Sequence, residues 1–111
     1  MDVTDLATAY FDAIRARDGG RLRELFAADA ILVSGTMTQV GAEAIATWYE
    51  TQAFLVEPEP MLGAFIVDGD RLAVEIDLHT TLGKMSVCDV IEAHAGKIER
   101  LAIYGVPRLG D

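Results

Sequence analysis

Residues 71–105 read RLAVEIDLHTTLG, then KMSVCDVIEAHAG, then KIERLAIYG, and this stretch decides the fold. Each segment alternates apolar and polar residues and reaches a glycine, the pattern of long antiparallel strands joined by tight turns. Turns are expected at Leu82-Gly83-Lys84 and Ala95-Gly96-Lys97. Strand side chains alternate with a period of two. In the middle strand Val87, Asp89, Ile91 and Ala93 therefore share one face, and Ser86, Cys88, Val90, Glu92 and His94 the other. Asp89 sits among apolar neighbours, on the face expected to look inward. A buried carboxyl without a partner is costly and tends to keep its proton.

Upstream of this meander, Asp68-Gly69-Asp70 reads as a hairpin turn and Met61 to Val67 as a strand. Phe54 to Pro60 is expected as a loop, because Pro58 and Pro60 cannot donate to a ladder. Ala42 to Gln52 reads as a helix with Ala44, Ile45, Trp48 and Tyr49 on its apolar side. Ala30 to Thr36 reads as a short strand, followed by an irregular passage bracketed by Gly35 and Gly41. At the start, Val3, Leu6, Ala7, Tyr10, Phe11 and Ile14 fall at helical spacing, predicting a helix over 3–17 stopped by Gly19 and Gly20. A second, short helix is predicted over 21–27. Helices early and strands late argue an α+β class. A twisted sheet of this length curls, so helices along its hollow side would close a cone with an open mouth.

The 111 residues fit a single domain over 1–111. Hydrophobic residues make up 51%, and mean hydropathy is +0.26, which suggests apolar surface hidden in a pocket or an oligomer interface. The formal net charge of −9 offers no basic face, so nucleic acid is not an expected partner. No apolar run reaches the ~18 residues needed to span a bilayer, and the N-terminus lacks a signal pattern. Neither a membrane nor a leader is therefore expected. The single cysteine, Cys88, excludes an internal disulfide and fits a cytoplasmic location.

Two segments carry a resemblance. AYFDAIRARDGGRLRELFAADAILV (9–33) and GAEAIATWY (41–49) are similar to the opening-helix and third-helix signatures of the SnoaL-like, or nuclear-transport-factor-two-like, superfamily. The resemblance covers nearly the whole chain. It implies a cone-shaped, curved antiparallel sheet wrapped around the N-terminal helices, a cystatin-like α+β barrel. The pocket most resembles that of ketosteroid isomerase. Tyr10 falls on that family's oxyanion-hole tyrosine, Tyr49 on a tyrosine that hydrogen-bonds it, and Asp89 near its protonated aspartic acid. Such a Tyr and neutral Asp donate two hydrogen bonds to a developing enolate, and an apolar setting strengthens both. The family's aspartate base is replaced here by Ser34. The Asp-Arg-Asp arrangement of limonene epoxide hydrolase has no clear counterpart either.

The resemblance thus implies Tyr10 and Asp89 as catalytic residues. Ser34, Trp48, Tyr49, Val87, Ile91, Leu101 and Ile103 are the expected walls of the site. Glu57 and Glu59, in the loop that would rim the mouth, are candidates to replace the missing base. Glu75, Asp77, His79, Glu92 and His94 are assigned to the solvent face of the sheet; they have metal-ligand chemistry but no fixed spacing, so no metal and no cofactor is expected. Two functions remain open. One is an isomerase or cyclase acting on a small apolar substrate; the other is a non-catalytic small-molecule-binding or dimerisation module. A homodimer through paired sheets is expected in either case.

Overall fold

The structure, a computed structural model, describes residues 1–107. Helix α1 spans Val3–Ala16 and α2 spans Gly19–Leu25. Strand β1 (Phe26–Ser34), β2 (Met37–Val40) and helix α3 (Ala42–Thr51) follow. A short 3-10 helix, Ala53–Val56, leads into β3 (Glu59–Leu62) and β4 (Ile66–Asp68). The meander is β5 (Arg71–Thr80), β6 (Gly83–His94) and β7 (Lys97–Gly105).

Local chemistry sets the helix ends. Asp2 and Asp5 form a capping box that satisfies two backbone N–H groups at the start of α1. The helix stops at Arg17, not at the glycine pair: Arg17 turns left-handed at φ 54°. Asp18 then caps α2 by accepting from the Arg21 N–H, so Gly19 and Gly20 open the second helix. Helix α2 also ends earlier than expected, because Phe26 and Ala27 already belong to β1.

The sheet has seven strands in the order β2-β1-β7-β6-β5-β3, with β4 also on β5. It is mixed. The β5–β6 and β6–β7 pairs are antiparallel as expected, but β1 runs parallel to β7. The passage after Gly35 is a hairpin, with Ser34 opposite Met37 and Gly35 at φ 59° in the two-residue turn. The expected strand Met61 to Val67 is broken in two. Leu62 pairs Ile76 and Ile66 pairs Ala73, so three residues on one strand face two on the other, a β-bulge. Gly63 allows it: its N–H donates to the Glu75 carbonyl at 2.8 Å, and a Cβ there would stand 3.0 Å from that oxygen. The expected loop ends at Pro58, since Glu59 and Pro60 pair with β5 on the open edge of the sheet, where a proline is tolerated.

One end of the hollow is packed solid. Leu6, Phe11, Leu22, Leu25, Leu32, Ile45, Leu72, Ile91, Ile98 and Leu101 are all fully buried there and along the helices. Each such side chain contributes about 1.5–3 kcal/mol by leaving water. Outside the cone, Arg23 ties α2 to α3 through Glu43 (2.8 Å) and Glu50 (2.7 Å). No helix of the described residues is long and apolar enough to cross a membrane.

Candidate active site

The inner face of the sheet is a stack of rungs, and each rung follows from strand register. The packed rung is Leu32, Leu101, Ile91 and Leu72 across β1, β7, β6 and β5. Next comes Ser34, Ile103, Asp89 and Val74. Beyond it lie Val87 with Ile76, and finally Met85, Leu78 and Pro60. Apart from Val74, the last three of these levels line a cavity of about 290 Å³ together with Tyr10, Trp48 and Tyr49 from the helices. Val56, Pro58 and Leu82 surround its mouth, where Leu82 is 86% exposed. The Thr81 N–H donates to the Val56 carbonyl at 2.9 Å and joins the two sides of that rim.

Tyr10, Asp89, Ser34, Trp48, Tyr49, Val87 and Ile103 line one cavity. Ile91 and Leu101 do not. They face inward, but their rung lies one step deeper, where side chains fill the cone. Face alternation alone cannot tell a wall residue from a plug residue. The mouth residues Val56 and Leu82 were missed because they stand on a rim segment and a turn that sequence period does not orient, while Ile76, Leu78 and Met85 share the inward face of their strands and were missed because period gives the face and not the depth. Pro60 was missed because its segment reads as a loop.

Asp89 is 3% exposed, and its Oδ1 has no hydrogen-bond partner among the described residues. Burial alone raises its carboxyl to about 7. The Tyr10 and Tyr49 hydroxyls are hydrogen-bonded to each other, and either can be the donor. Burial is the first cause raising the Tyr10 phenol well above its ordinary value, with Tyr49 and the Asp89 charge adding to it. Tyr49 is likewise pushed up by burial first and by the Asp89 charge second. The Tyr10 ring is held edge-on against Phe11, Phe26 and Tyr49, which fixes where its hydroxyl points. Below about pH 7 the site thus presents protonated oxygens in an apolar cup.

The candidate replacement bases stand apart. Glu59 is paired with Arg17 at 3.1 Å, and Glu57 is exposed on the rim without lining the cavity. The two histidines are not brought together either. His79 pairs Lys84 at one end of β6 and His94 lies at the other, roughly 30 Å away at ~3.4 Å per residue. Among the described residues no group of three or more metal-ligating side chains converges.

A family model described as the SnoaL-like domain matches residues 7–101. The chain belongs to the SnoaL-like domain family. No curated protein matches it at a significant level. Among solved structures it is similar to a candidate polyketide cyclase of Sinorhizobium meliloti, at 26% identity and TM-score 0.82, covering 89% of this chain and 93% of that one. It also shares its fold with a candidate ketosteroid isomerase of Kribbella flavida, at 16% identity and TM-score 0.85, covering 98% and 81%. An LEH-like epoxide hydrolase of M. tuberculosis is similar at 19% identity and TM-score 0.84, covering 94% and 82%. This SnoaL-like chain therefore has the α+β cone of proteins described as processing small molecules.

Proposed function

We propose that this SnoaL-like protein is a small-molecule isomerase or cyclase that grips the carbonyl oxygen of an apolar substrate between Tyr10 and protonated Asp89. One observation carries the reading: a carboxyl whose Oδ1 has no partner among the described residues is buried in the same apolar cavity as a hydrogen-bonded tyrosine pair. A partnerless buried acid costs stability, and a substrate oxygen would relieve that cost. In this reading Tyr49 donates to Tyr10, and Tyr10 and Asp89 donate to the oxygen as negative charge grows on it. Such donors in a dry site stabilise an enolate far more than water does. The proton leaving carbon passes to a water or to the substrate itself, since Asp89 is the only carboxylate lining the cavity among the described residues.

The test is isomerisation of a β,γ-unsaturated cyclic ketone, followed by the absorbance of its conjugated product. Tyr10→Phe and Asp89→Leu should each lower turnover by about 10²–10³-fold. Wild-type rates in both variants would remove the reading.

Among the described residues no second carboxylate and no imidazole lines the cavity, which favours another reading, a binding module of the same shape. It requires ligand binding with no turnover of any ketone.

The outer sheet face supports a homodimer as part of either reading. Val33, Ala102, Val90, Ala73 and Ile66 form an apolar rung across five strands. Light scattering at micromolar concentration should give twice the chain mass; a monomer mass would exclude the pairing.

A further inference from the structure

The cavity's shape and charge restrict what can fill it. Its volume of about 290 Å³ is roughly twice that of the ~150 Å³ apolar cavity that holds one benzene. Tyr10, Tyr49, Asp89 and Ser34 cluster at the deep end, and at the mouth the Thr80 hydroxyl is engaged, donating to the Gly83 carbonyl and accepting from the Leu82 N–H. The strand walls toward the mouth are Val87, Ile76, Leu78 and Met85. Met85 lies on the same face of β6 as Asp89 and, at ~3.4 Å per residue, about 14 Å nearer the mouth. The space is therefore long as well as narrow, with the titratable groups of its lining at one end.

Charge is the second restriction. Among the described residues that line the cavity there is no lysine, arginine or histidine. Arg15 and Arg17, which reach the β3 segment from α1, are engaged there: Arg15 donates to the Pro60 carbonyl at 3.2 Å, and Arg17 pairs with Glu59. A carboxylate or phosphate inside would lose its water and gain no cation, which is costly.

We propose that the occupant is an elongated, uncharged molecule of about two fused rings with one carbonyl oxygen at its buried end, its far ring resting on Met85 and Leu82. This deepens the isomerase or cyclase reading and rests on its assignment of the oxygen to Tyr10 and Asp89. The rim pair then sets the length of molecule accepted. Leu82, exposed on its turn, becomes covered when the site is filled.

Trp48 is the only tryptophan of the chain and lines the cavity, so its fluorescence reports occupancy. The probes are 1-tetralone, cyclohexanone, a four-ring steroid ketone, naphthalene-2-carboxamide and naphthalene-2-carboxylate, at about pH 6, where the last is ionised. The two-ring ketone should bind at least about tenfold tighter than cyclohexanone, from the extra apolar area buried. The carboxamide should bind at least about tenfold tighter than the carboxylate of the same shape. Met85→Asp should weaken 1-tetralone by about tenfold and leave cyclohexanone within about twofold, the latter showing that the variant is folded. A carboxylate that binds as tightly as the amide overturns the proposal. So does cyclohexanone matching 1-tetralone, or the steroid ketone binding about tenfold tighter than it. The two readings fail separately. The expected binding order without isomerisation of any ketone would remove the catalytic reading and leave this one standing; catalysis with a different order would do the reverse.

Discussion

The hydroxyls of Tyr10 and Tyr49, 39 residues apart in sequence, are hydrogen-bonded to each other at the cavity that also holds the Asp89 carboxyl, whose Oδ1 has no partner among the described residues. Helix α1 supplies one phenol and α3 the other, while the acid comes from β6. Three distant segments therefore place their O–H groups in one apolar cup. A chain selected only to fill that cup would carry apolar side chains at these places, since polar groups cost more to bury.

Tyr49 acts through Tyr10 in this account, so their removal should differ. Tyr10→Phe deletes the donor to substrate and should lower turnover by about 10²–10³-fold. Tyr49→Phe leaves that donor in place but unsupported. It should cost about tenfold in turnover with little change in KM, and about 1 kcal/mol of stability. Steady-state kinetics of the two variants check this; equal losses would show that Tyr49 touches the substrate itself.

Asp89 ties stability to pH. Its carboxyl titrates near 7 in the folded chain and near 3.8 when free of burial. Below the lower value it is protonated in both states and favours neither. As pH rises between the two, the unfolded chain gives up the proton and the folded chain does not, so stability falls until the folded value is passed. Urea unfolding should show wild type losing about 3 kcal/mol relative to Asp89→Asn between pH ~5 and ~8. A constant difference between the two proteins would mean that the carboxyl is not held neutral.

Ser34 and Asp89 lie on one rung with Ile103 between them, so they stand about 10 Å apart, two strand spacings of ~4.8 Å. A carboxylate at Ser34 would face a substrate held at Asp89 from across the cavity. Ser34→Asp should therefore raise isomerisation of the β,γ-unsaturated ketone by about 10²-fold, the lower end for a positioned base. Unchanged or lower turnover in a folded variant would place the substrate elsewhere.

Ile91 and Ile103 test the boundary between plug and wall. Ile91→Ala or Leu101→Ala should cost about 2–5 kcal/mol in unfolding free energy and leave ketone affinity nearly unchanged. Ile103→Ala should cost less, because one side of Ile103 already faces open space, and should weaken ketone binding. Thermal melts and Trp48 fluorescence separate the two effects; affinity loss in Ile91→Ala would put that residue back in the wall.

The long meander and the inward face of β6 were legible because period-two alternation over 35 residues has few competing readings. Asp89 stood out for the same reason, as an acid in an apolar row. Strand β2 was not legible: MTQV is short, and its role depends on β1 lying opposite. The parallel pairing of β1 with β7 joins residues some seventy positions apart, which no local pattern encodes. Pro58 and Pro60 argued for a loop, and the sheet's open edge overruled Pro60. Arg17 took a left-handed cap beside two glycines that could have served. In the site, Ile76, Leu78 and Met85 were overlooked on regular strands and Ile91 and Leu101 were taken for wall, because depth along a cone is a tertiary property.

The central claim is that Asp89 keeps its proton near neutral pH inside the cavity. Carbon-13 NMR of aspartate carboxyls, with the Asp89 resonance assigned by its absence in Asp89→Asn, measures this directly. A titration midpoint near 7 is the predicted result. A midpoint at or below the ordinary value of 3.8 would show a carboxylate held charged, and would contradict the account.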